Sequence, residues 1–156
     1  MKHSKTFSLL LVAAVSFSCS NMKAPKKIDE GKFRFQNFEV LSGPQLESIR
    51  LLCYRKKPSD WFGARQYEAG EHKLFVRAEI EPRRQAYVSF NVKLAAGHNY
   101  ILNRTIEGES ISIWIEDIDS GLTVSTTETT QLELINNHKH FYYTNKEKKA
   151  CEKSSI

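Results

Sequence analysis

The chain contains few of the residues and motifs that define several large classes of protein. Among its 156 residues are 7 Gly and 4 Pro, which excludes a collagen-like chain and a disordered low-complexity chain. No apolar run reaches the roughly 18 residues that a membrane-spanning helix needs, so an integral helix bundle is excluded. The sequence also lacks a Gly-x-Ser-x-Gly elbow, a phosphate-binding loop and a dinucleotide fingerprint. A hydrophobic content of 40% remains, which is enough to build the core of one domain.

The net charge of +5 is distributed unevenly along the chain. Residues 1–18 and residues 19–32 each carry +2, residues 33–137 carry −2, and residues 138–156 carry +3. We interpret these segments as a signal peptide, a linker, a folded domain and a basic C-terminal tail. A domain that binds nucleic acid carries a basic patch, so we expect no nucleic-acid partner. The basic segments are suited to solubilising the chain or to lying against anionic lipid headgroups.

Residues 1–18 have the three parts of a secretory signal peptide. A basic start precedes an apolar core over residues 7–15, and small polar residues then lead to Cys19. A signal that ends just before a cysteine resembles the bacterial lipoprotein signal. In that family the cysteine is acylated and anchors the protein to a bilayer. The resemblance covers residues 1–20, with Ser16 at the position where the family usually has Leu.

The lipoprotein resemblance implies a compartment. It makes Cys19 the acylated first residue of the mature chain, and Ser20 in place of Asp implies the outer membrane, facing the periplasm. The membrane is then a partner through the lipid on Cys19. Ordinary secretion with a free Cys19 thiol is the alternative.

The remaining cysteines form an even pair if Cys19 carries lipid. An oxidising compartment favours a disulfide between Cys53 and Cys151. Cys151 lies in a lysine-rich segment that has no core-forming pattern and no other evident reason to contain a cysteine. We therefore predict this disulfide, which would pin the tail and lay residues 138–143 across the domain as an added edge strand.

Alternating apolar residues predict β-strands throughout the domain. The clearest run has apolar residues at every second position of residues 86–94, which is typical of a strand with one face in water. Turn signals recur about every 8–14 residues, and no long amphipathic helix interrupts them. The pattern predicts a single antiparallel β-sandwich of about seven strands, with a small open barrel as the alternative. Residues 33–40 are predicted as one strand with a bulge near Gln36, and residues 55–68 as a long surface loop.

Two turns of the predicted domain have similar sequences. Ala69-Gly70-Glu71-His72 and Ala96-Gly97-His98 each lead into a strand, and Trp114-Ile115-x-Asp117 precedes a further Gly turn. This layout resembles a group of small uncharacterised bacterial lipoproteins whose sandwich is similar to transthyretin-like and immunoglobulin-like domains. The resemblance covers roughly residues 40–125. It implies a fold and a compartment, and no activity.

The histidines are the candidates for metal or catalytic chemistry. His72 and His98 occupy matching turns, where we expect each imidazole to hydrogen-bond a turn carbonyl. The alternate spacing of His138 and His140 suits zinc or copper, but no second ligand motif supports it, so we predict no metal and no cofactor. Residues 117–121 faintly resemble a calcium loop, but the later ligands are absent and a hairpin turn is predicted.

Exposed aromatic residues are the candidates for ligand binding. Trp61 lies with Phe62 and Tyr67 in the predicted loop, and Trp114 lies opposite a buried strand face. Such side chains can pack against a sugar ring or a partner protein, or they can cap the open end of a sandwich.

The sequence therefore supports three hypotheses of function. The first is a lipid-anchored envelope protein with a binding or structural role and no catalytic activity, whose partner is an envelope protein or a glycan. The second is a metal-dependent hydrolase that uses His72, His98 and the pair His138 and His140. The third is a carbohydrate-binding or adhesion module that uses Trp61 and Trp114.

Overall fold

The protein folds as a sandwich of two five-stranded sheets with a separate two-stranded hairpin and one helix. The structure, a computed structural model, describes residues 27–135 and 144–156. The first sheet contains β1 (Lys32–Gln36), β6 (Arg65–Glu68), β9 (Asn99–Glu107), β10 (Ser110–Asp117) and β11 (Glu128–Gln131). The second sheet contains β2 (Phe38–Val40), β3 (Glu47–Leu51), β7 (Gly70–Ile80), β8 (Arg84–Leu94) and β12 (Glu133–Leu134). The hairpin pairs β4 (Cys53–Tyr54) with β5 (Lys57–Pro58), and the helix is α1 (Asn145–Glu152).

The predicted all-β sandwich is confirmed, and its sheets are not closed into a barrel. The alternation seen in the sequence sets which face of each strand is buried. Along β7 and β8, which pair in register from end to end, every second side chain enters the core between the sheets. The isoleucines of β10 enter the same core from the first sheet. Apolar burial on this scale is the main force that holds the two sheets together.

Two extended segments change sheets, and the first of them, residues 33–40, is the one that the sequence predicted as a single bulged strand. The first sheet contains β1 and the second contains β2, and the residue between them is Asn37. Its side-chain oxygen accepts a hydrogen bond from Leu51 N at 3.0 Å. The second change falls at Leu132, which separates β11 from β12. The predicted bulge near Gln36 is therefore a crossing between the two layers.

The strand order of the first sheet is β11–β10–β9–β1–β6. Its pairings are antiparallel except that β1 lies parallel to β9. The predicted long loop over residues 55–68 is wrong in part, because it contains β5 and the edge strand β6.

The outer face of the second sheet is covered by the chain itself. Cys53 and Cys151 are joined in a disulfide with a Cα–Cα distance of 5.3 Å, which confirms the predicted pairing. This bond holds α1 against a small apolar cluster that includes Leu52, Phe75 and Tyr87. The described part of the C-terminal tail is thus a docked helix rather than a solvated segment. The predicted edge strand over residues 138–143 lies outside the described residues.

A charged network lies beneath this cover. Arg50, nearly buried, bonds Asp60 at 2.8 Å and Glu79 at 3.0 Å, and Arg77 joins Glu79 to Glu147 of α1. Tyr87 donates to Glu147 at 2.9 Å. Burial first, and then the hydrogen bond to Glu147, raise the pKa of Tyr87 to about 12. The helix is therefore held by ionic contacts as well as by the disulfide.

The only helix within the described ranges is too short and too polar to cross a membrane.

Candidate functional site

The outer face of the first sheet carries polar side chains around one tryptophan. In β1, β9 and β10 the side chains that alternate with the core residues point outward. We call this surface the Trp114 face, and its central members are Arg34, Gln36, Asn99, Ile101, Asn103, Trp114 and Glu116. The register places Trp114 opposite Asn103, Glu116 opposite Ile101, and Ile101 opposite Gln36. The face thus presents an aromatic ring beside amide and carboxylate groups on three adjacent strands.

One carboxylate orients the centre of the Trp114 face. Oε2 of Glu116 accepts a hydrogen bond from Nδ2 of Asn103 at 3.1 Å. The same oxygen lies 3.5 Å from the indole Nε1 of Trp114. The indole edge is held at Glu116 while the face of the ring stays half-buried on the sheet. These contacts fix both groups before any ligand arrives, which lowers the entropy lost on binding.

A second polar group extends this surface towards β1. Nη1 of Arg34 lies 3.5 Å from Oδ1 of Asn99, and Nδ2 of Asn99 donates to Asp119 at 3.2 Å. The other guanidinium nitrogen, Nη2 of Arg34, is buried and has no hydrogen-bond partner among the described residues. The surface therefore offers hydrogen-bond donors and acceptors on both sides of Ile101.

No helix or strand of the described residues lies over the Trp114 face, whereas α1 and residues 55–64 cover the opposite side of the sandwich. Among the described residues the two outer faces therefore differ: α1 and residues 55–64 lie against one, whereas the other has only residues 27–29 bonded to Gln66 at its edge.

Trp61 does not belong to the Trp114 face. It lies in the segment between β5 and β6, and β6 is three strand positions from β10 in the first sheet. That separation is roughly 14 Å at the ordinary spacing of strands. The structure thus does not bring the two predicted tryptophans together.

Trp61 instead completes a cluster of its own. The guanidinium of Arg65 lies 3.7 Å from the centre of the Tyr54 ring and 4.7 Å from that of Trp61. The indole nitrogen donates to the carbonyl of Gly63 at 2.9 Å, and Nδ2 of Asn37 donates to the carbonyl of Trp61. Although Trp61 is 55% exposed, its polar group and one ring face are engaged by its own chain.

His98 pairs with a carboxylate rather than with a turn carbonyl, which is where the sequence prediction is wrong. Its Nδ1 lies 2.5 Å from Oδ2 of Asp117, and its ring stacks on Tyr100 with centroids 5.8 Å apart. The other carboxylate oxygen of Asp117 accepts from the backbone amides of Asp119 and Ser120, each at 3.0 Å. Asp117 thereby closes the predicted turn after β10.

The charge state of Asp117 follows from these contacts. Burial raises the pKa of its carboxyl, but the hydrogen bonds from His98, Ser120 and Asp119 together outweigh burial and hold the pKa below its ordinary value. A buried carboxylate with a histidine beside it can orient an imidazole for proton transfer. The described contacts of His98 include no serine, cysteine or threonine nucleophile.

His72 makes the carbonyl contact that the sequence predicted. Its Nε2 lies 2.8 Å from the carbonyl oxygen of Glu68, and its Nδ1 lies 3.0 Å from Oγ of Ser155. The rings of Phe33 and Tyr100 lie between His72 and His98. The two histidines therefore do not form one site.

Within residues 27–135 and 144–156, no group of three or more His, Cys, Asp or Glu side chains is placed to hold a metal ion. The candidate pair His138 and His140 lies outside the described residues, as does Cys19.

A groove of about 550 Å³ lies at the far end of the second sheet. Leu46, Ile80 and Ile135 line it, and Glu81 and Arg83 lie at the turn between β7 and β8. It is separate from the Trp114 face, and Phe62 is the one candidate aromatic of the sequence that lines it.

Comparison with family models, curated proteins and solved structures finds no match to this chain. Its function is therefore inferred from the geometry described above.

Sequence reasoning found Trp114 but missed the polar residues around it. Asn103 and Glu116 occupy outward positions of adjacent strands, so the period of two contains the signal that they share a face with Trp114. What the sequence does not contain is the register between β9 and β10, which determines that these side chains touch.

Proposed function

We propose that the protein is a lipid-anchored binding protein of the bacterial cell envelope, and that its β-sandwich binds a glycan chain on the Trp114 face. No catalytic step is assigned to it. The observation that carries the proposal is the contrast between the two outer faces of the sandwich. The face over which no described helix or strand lies is the one with an aromatic ring oriented among amide and carboxylate groups.

The N-terminal sequence supports the anchor. A basic start, a short apolar core and small residues before Cys19 are the features that lipoprotein signals share. The disulfide between Cys53 and Cys151 supports an oxidising compartment, since such bonds are rare in the cytosol.

The chemistry of the Trp114 face supports a sugar as the ligand. Sugar rings combine an apolar face of C–H groups with a rim of hydroxyl groups. The indole of Trp114 suits the apolar face, while Asn103, Glu116, Asn99 and Arg34 suit the hydroxyl groups. A sheet face that no described helix or strand encloses suits an extended chain better than a small enclosed molecule, for which concave pockets are typical.

The anchor is tested by labelling cells with a clickable fatty acid. We expect the wild-type protein to take up the label and the Cys19→Ala variant to remain unlabelled. Cys53→Ala is the matched control and should still be labelled. An unlabelled wild type, or a mature N-terminus beyond residue 19, would contradict the anchor.

Glycan binding is tested on an array of bacterial cell-wall and surface polysaccharides, with tryptophan fluorescence as the second measurement. We expect Trp114→Ala to weaken binding about thirtyfold, because a central aromatic anchor contributes roughly 2 kcal/mol. Trp61→Ala is the matched control, since Trp61 is exposed but lies outside the Trp114 face, and it should bind as the wild type does.

Two outcomes would overturn the glycan assignment. One is the absence of binding to every polysaccharide on the array by a folded wild type. The other is an equal loss of affinity in Trp114→Ala and Trp61→Ala. Melting temperatures of both variants establish that any loss does not come from unfolding.

A further inference from the structure

A group of basic side chains lies where the hairpin β4–β5 meets helix α1. We call it the basic ridge and define it as Arg55, Lys56, Lys57, Lys148, Lys149 and Lys153, all of which are exposed. The disulfide joins the two elements, because Cys53 belongs to β4 and Cys151 to α1. Within the described residues none of these six side chains forms an ion pair.

Three of the lysines at the helix point away from the domain, whereas Lys146 lies over the ring of Tyr87. Its inward positions are Glu147 and Cys151, one helical turn apart and both buried. Lys148, Lys149 and Lys153 therefore fall on the solvent side. Glu152 is the acidic residue on that side, and the C-terminal carboxylate of Ile156 is nearby, so the ridge keeps a clear positive excess.

The rest of the sandwich has the opposite charge. Without the three basic residues of the hairpin, residues 33–137 contain nine basic and fourteen acidic side chains, a net charge of −5. The protein is thus electrically polarised, and the field of the ridge would orient it in front of a negatively charged surface.

The tip of the hairpin is held in a conformation that its side chains disfavour. Arg55 has φ 51° and Lys56 has φ 59°, both in the left-handed region where glycine or asparagine is usual. The backbone amide of Lys56 donates to the carbonyl of Ile156 at 3.1 Å, which ties the tip to the C-terminus. Two large cationic residues at a turn that favours glycine indicate that their charge is useful there.

The described end of the N-terminal linker lies along the edge strand β6, where the side chain of Gln66 accepts from the amide of Asp29 and donates to the carbonyl of Lys27. The amide of Ala69 donates to the carbonyl of Gly31, which places the start of the domain at the end of β6. At this end of β6 the carbonyl of Glu68 contacts Nε2 of His72, and Nδ1 of the same ring contacts Oγ of Ser155. The next residue, Ile156, accepts a hydrogen bond from the amide of Lys56 at the hairpin tip.

The length of the linker limits how far the ridge can be from the anchor. Cys19 and Lys27 are 8 residues apart in the sequence. Eight residues span at most about 28 Å when fully extended. A tether of that length allows the domain to turn its basic ridge to the bilayer, within the roughly 8–10 Å over which the surface potential falls off.

We infer that the basic ridge is a membrane-facing surface that binds the headgroups of anionic phospholipids and so sets the orientation of the anchored domain. This inference rests on the lipid anchor of the proposed function. With the ridge at the bilayer, the acidic remainder of the sandwich would be turned towards the periplasm.

The inference is tested with unlipidated protein, so that the anchor does not contribute. The mature chain from residue 19 with Cys19→Ser contains every described residue and is sedimented with vesicles of pure phosphatidylglycerol or of pure phosphatidylcholine. We expect binding to phosphatidylglycerol alone, and a steep loss of binding as salt is added.

Matched variants locate the binding surface. Lys148→Gln with Lys149→Gln should weaken binding roughly twentyfold, since each basic residue near an anionic surface accounts for a factor of about five. Arg83→Gln with Arg84→Gln removes the same charge at the opposite end of β8, and it should change binding less than twofold. Melting temperatures of both variants are compared with that of the parent chain.

Three results would overturn the inference. They are equal binding to both kinds of vesicle, an equal loss in the two double variants, and tighter binding of the ridge to duplex DNA than to phosphatidylglycerol at the same salt concentration. Failure of fatty-acid labelling at Cys19 is a separate result: it would refute the proposed anchor but leave the vesicle measurement to decide on the ridge.

Discussion

Asp117 shows how one carboxylate organises the end of a strand. One oxygen bonds His98, and the other holds the turn through the amides of Asp119 and Ser120. His98 and Asp117 are 19 residues apart in sequence, so no local pattern predicts this contact. The contact of His72 with Glu68, over a separation of 4 residues, could be predicted as a turn interaction because the chain itself keeps the two groups close.

The Asp117→Asn variant tests the charge of this carboxylate. Asparagine keeps an oxygen for the turn but places an N–H₂ group against His98. Because the folded-state pKa of Asp117 lies below its ordinary value of 3.8, the carboxylate stabilises the fold above that pH, and the stabilisation is lost as pH falls through the folded-state pKa. We expect a loss of about 2 kcal/mol at neutral pH.

The measurement is the free energy of unfolding of both proteins from neutral to acidic pH. The difference should shrink as pH falls below the ordinary value. Asp119→Asn changes an exposed carboxylate of the same turn, and it should stay within about 0.5 kcal/mol of the wild type. A constant difference at every pH would show that the effect is steric rather than ionic.

At the scale of elements, α1 is the part of the fold that the sequence interpretation missed. A helix of eight residues is not stable in isolation and has no apolar stripe, since only Glu147 and Cys151 point inward. A signal was nevertheless present. Thr144 and Glu147 form a capping box, with bonds of 3.2 and 2.6 Å between each side chain and the amide of the other residue.

The disulfide decides whether this helix stays docked. Its two cysteines are 98 residues apart, so the bond closes a long loop of the unfolded chain. We expect the Cys53→Ser with Cys151→Ser variant to lose about 2–4 kcal/mol of unfolding free energy, measured by urea denaturation. Reductant should lower the midpoint of the wild type and leave that of the variant unchanged. Identical midpoints for the two oxidised proteins would contradict this prediction.

For the whole molecule, the class of fold could be predicted but the arrangement of the strands could not. Alternation along β7, β8 and β10 determines which side chains are buried, and that was enough to predict a sandwich. The changes of sheet at Asn37 and Leu132 depend on contacts made across the molecule. Asn37 is anchored by Leu51 and Trp61, which are 14 and 24 residues away in sequence.

For the candidate site, too, individual residues could be predicted from the sequence but their arrangement could not. Composition and spacing identified Trp61 and Trp114 as exposed aromatics, and Cys53 and Cys151 as a pair. Which of these residues act together depends on the fold, which places Trp114 in β10 and Trp61 in the segment between β5 and β6. The basic ridge is likewise formed by two segments that the disulfide joins, although each segment is basic on its own.

The parallel pairing of β1 with β9 also sets the order in which the protein can assemble. A chain made from its N-terminus produces Phe33 and Phe35 first, yet Phe35 pairs with Tyr100, 65 residues later. At roughly 5–20 residues per second, these two phenylalanines wait several seconds for β9, although their other neighbour β6 is made sooner. The pairing of β1 therefore cannot be completed while only the N-terminal part of the chain has been made. We expect folding to nucleate at the local hairpin of β7 and β8, and β1 to join the fold afterwards. During that interval the apolar side chains of β1 lack the neighbour that β9 provides in the folded protein.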